Sequence, residues 1–99
     1  MRPDPKQKTL RSPRYRAWIR KQPCAACGNP KSQHHHEPIK HGGGVGMKGP
    51  DDQALPLCQR CHYERHKIGR KTFYQIYNIN WRDRVKHYRE LYLKQGNTL

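Results

Sequence analysis

The chain has 99 residues, of which 32% are hydrophobic, and it contains eight glycines and eight prolines. A chain of this length and composition forms one domain with a small core, which usually needs a disulfide, a metal ion or a partner for stability. The formal net charge is +14. Because Lys and Arg release counterions from phosphate backbones, this charge favours a nucleic-acid partner. The sequence has no long apolar run and no signal-peptide core, so we expect a cytoplasmic protein without membrane association.

The amino-terminal part predicts a basic arm followed by a helix. Residues 1–11 are charged and contain proline, as is typical of a flexible arm, and residues 12–99 are expected to form a single domain. Ser12 suits the N-cap of a helix and Pro13 suits its first position. The apolar residues of this helix recur at helical spacing and predict a buried face: Tyr15, Trp18 and Ile19.

The middle of the chain predicts two short strands separated by a glycine-rich loop. The strands are expected over residues 32–37 and 53–57, and a helix is expected to follow over residues 60–69 and to end at Gly69. A proline at position 38 is expected to end the first strand, because proline cannot donate a backbone hydrogen bond to a sheet.

Two carboxy-terminal helices are expected within residues 70–95. The first should bury Phe73, Ile76 and Tyr77. The second should begin after an Asn80 N-cap and end at a glycine, which favours helix C-termini. Its predicted buried stripe is Val85, Tyr88, Leu91 and Tyr92.

The four cysteines form two Cys-x-x-Cys motifs, Cys24/Cys27 and Cys58/Cys61. Two disulfides are one interpretation. In a chain without an export signal, paired motifs of this kind favour one tetrahedral Zn²⁺ held by four thiolates. The 30 residues between Cys27 and Cys58 leave room for two strands and a loop between the motifs.

A group of histidines predicts a second, separate metal site. His62 and His66 are four residues apart, so a helix would place both imidazoles on one face. Cys61 would lie about 100° around that helix from His62, so one ion is not expected to bind both residues. If the two strands pair, His35 or His36 comes beside this helix. Adjacent strand residues point to opposite faces, and a bulge or the end of the strand would be needed for both to reach the site.

The segments "HHHEP", "GMKGPDD" and "LCQRCHYERH" occur in the order found in the HNH, or ββα-metal, endonucleases. The chain resembles the zinc-knuckle form of this family, common in phages and prophages, over roughly residues 12–80. The resemblance implies an α+β fold. It consists of a small ββα-metal (His-Me finger) unit over about residues 32–68, a four-cysteine structural zinc site and flanking helices.

The same resemblance implies a role for each residue of the site. His35, His62 and His66 would bind a catalytic divalent cation, and His36 would be the general base that accepts a proton from water. The ion could be Mn²⁺, Mg²⁺, Ni²⁺, Co²⁺ or Zn²⁺. The family has an asparagine nine residues before the first helix histidine, where this chain has Gln53. A glutamine carries the same amide on a longer arm, so Gln53 could take the orienting role of that asparagine in catalysis, and Asp52 is the alternative for this role.

The activity that the resemblance implies is hydrolysis of DNA phosphodiester bonds to 5′-phosphate and 3′-hydroxyl ends, in the cytoplasm of a bacterial host cell. One chain would nick one strand, as a monomer or as part of a dimer on DNA. Two other functions remain open: a non-catalytic zinc-stapled DNA-binding module, and an RNA-directed binder or nuclease.

Basic residues around the two motifs are the expected phosphate contacts. Glu37 is expected to be a solvated carboxylate at the edge of the strand, with a hydrogen bond to a metal ligand as the alternative. The predicted DNA-binding residues are Lys40, Lys48, Arg60, Arg65 and Lys67.

Overall fold

The computed structural model describes residues 10–37 and 50–99 of the chain. Within them lie four helices and two strands, which confirms the α+β class. No helix among the described residues is long and apolar enough to cross a membrane. The elements in chain order are α1 (Pro13–Arg20), β1 (Gln33–His36), β2 (Ala54–Leu57), α2 (Gln59–Ile68), α3 (Arg70–Ile76) and α4 (Trp81–Lys94).

Three sequence predictions fall wholly or partly outside the described residues, and one of them is the role of Pro38 in ending the first strand. The predicted basic arm is described only at residues 10 and 11. The glycine-rich loop is described only from residue 50 onwards, so Lys40 and Lys48 lie outside the described residues.

Helix α1 begins and packs as the sequence predicts. The Ser12 hydroxyl accepts a hydrogen bond from the Tyr15 N–H at 3.2 Å, and proline occupies the first helical turn. Tyr15 and Ile19 are fully buried. The Tyr15 ring meets the Tyr92 ring edge-on, with 4.8 Å between centroids, and Trp18 packs against the same ring. Such aromatic pairs join α1 to α4 and form one side of the core.

Strands β1 and β2 pair antiparallel in a regular register. His35 lies opposite Leu55 and His36 lies opposite Ala54, so no bulge interrupts the pairing of these residues. The side chains of His35 and His36 therefore point to opposite faces of the hairpin. The bulge that would have brought both to one site does not exist in β1.

Helices α2 and α3 meet at Gly69, whose φ of 90° suits glycine. Phe73 is buried as predicted, but Ile76 is 64% exposed, so the prediction that it packs inward is wrong. Tyr74 is buried instead, because it turns towards a carboxylate on the hairpin.

Helix α4 begins as predicted, since the Asn80 side chain accepts a hydrogen bond from the Asp83 N–H at 3.2 Å. Val85, Tyr88 and Tyr92 are buried along one side of the helix.

Candidate functional site

The four cysteines lie together where the segment between α1 and β1 meets the start of α2. Cys24 and Cys27 belong to that segment, Cys58 follows β2, and Cys61 lies in the first turn of α2. The Ala25 N–H donates to the carbonyl of Pro56 in β2 at 2.8 Å, which ties the segment to the hairpin. The four Sγ atoms all lie within 4.8 Å of one another.

The cysteine group has the size and chemistry of a zinc site. The Sγ atoms of Cys27 and Cys58 are 3.6 Å apart, too far for a disulfide. A tetrahedron with Zn–S bonds of about 2.3 Å has sulfurs about 3.8 Å apart. Burial raises the pKa of Cys58 and of Cys61, whereas a backbone hydrogen bond at Asn29 lowers the pKa of Cys27 to about 7. Buried thiolates this close repel each other unless a cation neutralises them, so the donor set is compatible with structural zinc.

A second group consists of His35 on β1 and of His62 and His66 on α2. The His35 ring centroid lies 4.7 Å from that of His62 and 5.1 Å from that of His66. Each imidazole offers a nitrogen within 4.8 Å of the other two. The group forms because residues four apart share a helix face and that face packs on β1. Cys61 belongs to the other group, as the helical geometry predicted.

Hydrogen bonds determine which ring nitrogen carries the proton in two of these histidines. Nδ1–H of His62 donates to the Gln33 side-chain oxygen at 2.7 Å, and Nε2–H of His35 donates to Glu37 at 3.0 Å. Each ring keeps a lone pair on its other nitrogen. Burial lowers the pKa of His35, and burial together with the neighbouring histidines lowers the pKa of His62 to about 4. Both are therefore neutral at pH 7 and able to bind a cation.

Glu37 is fully buried, so the expectation of a solvated edge carboxylate is wrong. Besides the bond from His35, it forms a two-pronged ion pair with Arg65 at 2.9 and 2.8 Å, and it accepts from Arg70 at 2.9 Å and from the Tyr74 hydroxyl. Burial raises the pKa of Glu37, but these donors outweigh it and hold the pKa well below its usual range. The alternative, a hydrogen bond to a histidine of the site, is what the structure has.

His36 does not join the three-histidine group. It lies on the opposite face of β1, where its Nε2 is 2.9 Å from Asp51 and its ring is 4.6 Å from that of His34. The main-chain carbonyl of Gln53 accepts from the Glu37 N–H at 2.7 Å. Gln53 therefore holds the end of the hairpin through its backbone.

The predicted phosphate contacts on α2 occupy different surroundings. Arg65 is bound to Glu37 and its side chain is only 13% exposed, so it stabilises the site from within. Arg60 and Lys67 line a groove on another side of α2 together with Tyr63, Ile68 and Ile76. None of the described residues that line this groove is a histidine, so these two cations do not face the three-histidine group.

Sequence reasoning missed the importance of Asp51 and undervalued Glu37. The alternation of strand side chains could have indicated Glu37, because it lies two residues beyond His35 and so on the same face. No local pattern indicated Asp51, whose carboxylate contacts come from residues 15 to 40 positions earlier in the chain.

The geometry thus defines a small α+β chain with a closed cysteine group and an open histidine group. The chain belongs to the family described as "Protein of unknown function (DUF968)", whose model matches residues 1–81. It is similar to "Uncharacterized protein YdfU" of Escherichia coli (strain K12), with 44% identity over 63 residues. The match covers 63% of this chain but only 18% of the relative. No solved structure matches the chain.

Proposed function

We propose that this chain is a metal-dependent endonuclease of the HNH, or ββα-metal, type that hydrolyses DNA phosphodiester bonds. The observation that carries the proposal is the convergence of His35, His62 and His66 between a hairpin and the helix that follows it. His35 and His62 have tautomers fixed by hydrogen bonds, and together with His66 they form a preformed site for a divalent cation. His66 is exposed, which leaves one side of the group open to a substrate.

In this proposal, the three histidines hold the cation, and the buried network around Glu37 keeps the His35 ring in place. A divalent cation bound there supplies positive charge that stabilises the phosphate and the departing oxygen. The chain's net charge of +14 is suited to binding a polyanion. The four cysteines hold a structural zinc ion that fixes the start of α2, and with it the position of His62.

The position of His36 on the other face of β1 is compatible with a role as general base. In an in-line displacement, the attacking water and the leaving oxygen lie on opposite sides of the phosphorus. A base and a cation that flank the phosphate need not share a face of the strand. His36 would take the proton of the attacking water, while His35 and its two partners face the leaving side.

The test is nicking of supercoiled plasmid by zinc-loaded protein, with Mn²⁺, Mg²⁺, Ni²⁺, Co²⁺ or Zn²⁺ added singly. We expect open circles from the wild type, and at least a 100-fold lower rate from His62→Ala and from His36→Ala. His87→Ala is the matched control, because His87 lies on α4 away from both groups and should leave the rate unchanged.

Two outcomes would contradict the proposal, and each would support a different function. Intact plasmid with every ion, together with normal DNA binding, would make the chain a non-catalytic zinc-stapled binding module. Cleavage of RNA in preference to DNA at matched salt would make it an RNA-directed nuclease.

A further inference from the structure

The carboxylate of Asp51 has two oxygens with different partners, and the residue is only 1% exposed. Oδ2 accepts from the Ser12 N–H and from Arg16, both at 2.7 Å, so it holds the start of α1. Oδ1 faces β1, where it lies 2.9 Å from Nε2 of His36. Arg11 approaches the same oxygen at 3.3 Å from a more exposed position.

The contact with Oδ1 determines the tautomer of His36. A carboxylate only accepts hydrogen bonds, so in the neutral imidazole of His36 the proton lies on Nε2 and the lone pair on Nδ1. The neighbouring His34 is held in the same way, since its Nε2 lies 2.8 Å from the main-chain carbonyl of Asp51. His34 packs edge-on against His36 and restricts the rotation of its ring.

His34, His36 and Asp51 are close enough together to suggest a further cation site. The charges around Asp51 argue against one. Arg11 and Arg16 both form ion pairs with its carboxylate, so a divalent cation there would meet two guanidinium groups. The carboxylate already has its counter-charges.

We propose that Asp51 is the positioning residue that orients His36 and keeps Nδ1 of His36 ready to accept a proton. This inference rests on the proposed nuclease function. It assigns to Asp51 the orienting role that the family resemblance implies for Gln53 or Asp52. Asp52 forms an ion pair with Arg89 at 2.9 Å, directed towards α4.

The proton transfer served by this arrangement is balanced. The water oxygen forms a bond to phosphorus as the bond from phosphorus to the 3′ oxygen breaks. The water proton passes to Nδ1 of His36, and the departing oxygen takes a proton from solvent. The resulting imidazolium is stabilised by the Asp51 carboxylate through the contact between Oδ1 and Nε2 of His36.

The test compares Asp51→Asn with Arg16→Gln. In Asp51→Asn, the amide oxygen is expected to stay with the donors Ser12 and Arg16, so the amide NH₂ faces His36. His36 must then accept at Nε2 and carry its proton on Nδ1, which blocks proton uptake there. Arg16→Gln removes a partner of Oδ2 and leaves the contact with Oδ1 in place.

We expect kcat for plasmid nicking to fall at least 100-fold in Asp51→Asn, with KM changed less than threefold. Both variants should lower the melting temperature by similar amounts, because each removes part of the ion pair between Asp51 and Arg16. Arg16→Gln should nevertheless keep kcat within threefold of wild type. Equal kcat values for the two variants, per folded molecule, would overturn the inference, because Asp51 would then serve stability alone.

A second readout does not depend on cleavage. The ¹⁵N chemical shifts of the His36 ring identify its tautomer by NMR. The proton should be on Nε2 in the wild type and in Arg16→Gln, and on Nδ1 in Asp51→Asn. An unchanged tautomer in Asp51→Asn would overturn the inference even in an active nuclease. A changed tautomer in a chain that cleaves nothing would support the positioning role and refute the nuclease proposal alone.

Discussion

The cysteine group and the histidine group both include residues of α2, on different sides of the helix, but they differ in their access to solvent. Three of the four cysteines are buried, and all four sulfurs face one another. In the histidine group, His35 is buried, His62 is half-buried and His66 is exposed. Structural metal sites are closed by protein ligands, whereas catalytic sites keep a position open for substrate or water.

This difference shows how a small chain can separate stability from chemistry. Residues one apart on α2, Cys61 and His62, point into different groups because a helix turns about 100° per residue. The closed group can stabilise the fold without binding substrate. In the proposed function, the open group binds the cation and the substrate, and other contacts hold its ligands in place. Substitutions in the two groups should therefore have different consequences.

The largest effect is expected from Cys58→Ser. Structural zinc contributes about 10–16 kcal/mol of apparent binding free energy, comparable to or larger than the total stability of about 5–15 kcal/mol of a typical domain. Cys58 is only 3% exposed, and a serine there binds zinc poorly. We expect loss of helical circular dichroism at 25 °C. Elemental analysis is expected to find one zinc ion per chain in the wild type and none in the variant.

His66→Ala is the control for that prediction, because it removes an exposed ligand of the open group. It should keep its zinc and melt within a few degrees of the wild type. A folded, zinc-free Cys58→Ser protein would contradict the assignment of the cysteine group to stability.

The next effect concerns Glu37, the buried residue that supports the open group. Glu37→Gln removes the charge that balances Arg65 and Arg70, which should cost about 3–5 kcal/mol of unfolding free energy. It also weakens the hydrogen bond that orients His35, so Mn²⁺ affinity should fall about 10–100-fold. Mn²⁺ is the ion to titrate because it competes poorly for thiolates and so reports on the histidines.

Asp52→Asn is the matched control, since it neutralises a carboxylate that pairs with Arg89 and that belongs to neither histidine cluster of the described residues. Its Mn²⁺ affinity should equal that of the wild type. If Glu37→Gln lost stability but kept full Mn²⁺ affinity, Glu37 would serve the fold and not the histidine group.

Much of the fold could be predicted because its signals are local. Ser12 and Asn80 cap helices through contacts to residues three positions later, and the 3.6-residue repeat places His62 and His66 on one face. The separation of Cys61 from His62 follows from the same geometry. These interactions need no knowledge of distant parts of the chain.

Apart from the local hydrogen bond between His35 and Glu37, the supporting contacts of the site could not be predicted because they join distant segments. Glu37 meets residues 28 to 37 positions later, and Asp51 meets residues 15 to 40 positions earlier. Helical spacing alone predicts that the Ile76 side chain packs in the core. In the structure, the burial of Tyr74 against Glu37 determines which side of α3 faces the core. Tertiary contacts decided both cases.

The smallest expected effect is on the salt dependence of DNA binding, and it concerns which basic surface binds DNA in the proposed function. Arg60 and Lys67, the predicted contacts, line the groove on the other side of α2. A cleft between α3 and the start of α4 contains Lys71 and Arg82, and none of its described lining residues is acidic. It adjoins the histidine group through Arg70, which binds Glu37 and lies over the Trp81 ring at 4.1 Å.

Two double variants with equal loss of charge separate these surfaces: Lys71→Ala/Arg82→Ala and Arg60→Ala/Lys67→Ala. Each neutralised phosphate contributes about 0.9 to the slope of log K against log salt. The cleft variant should therefore lower that slope by about 1.8, measured by fluorescence anisotropy with duplex DNA. The groove variant should leave the slope near that of the wild type, because its cations face away from the histidines. The reverse result would place DNA along the groove and support the prediction that Arg60 and Lys67 bind DNA.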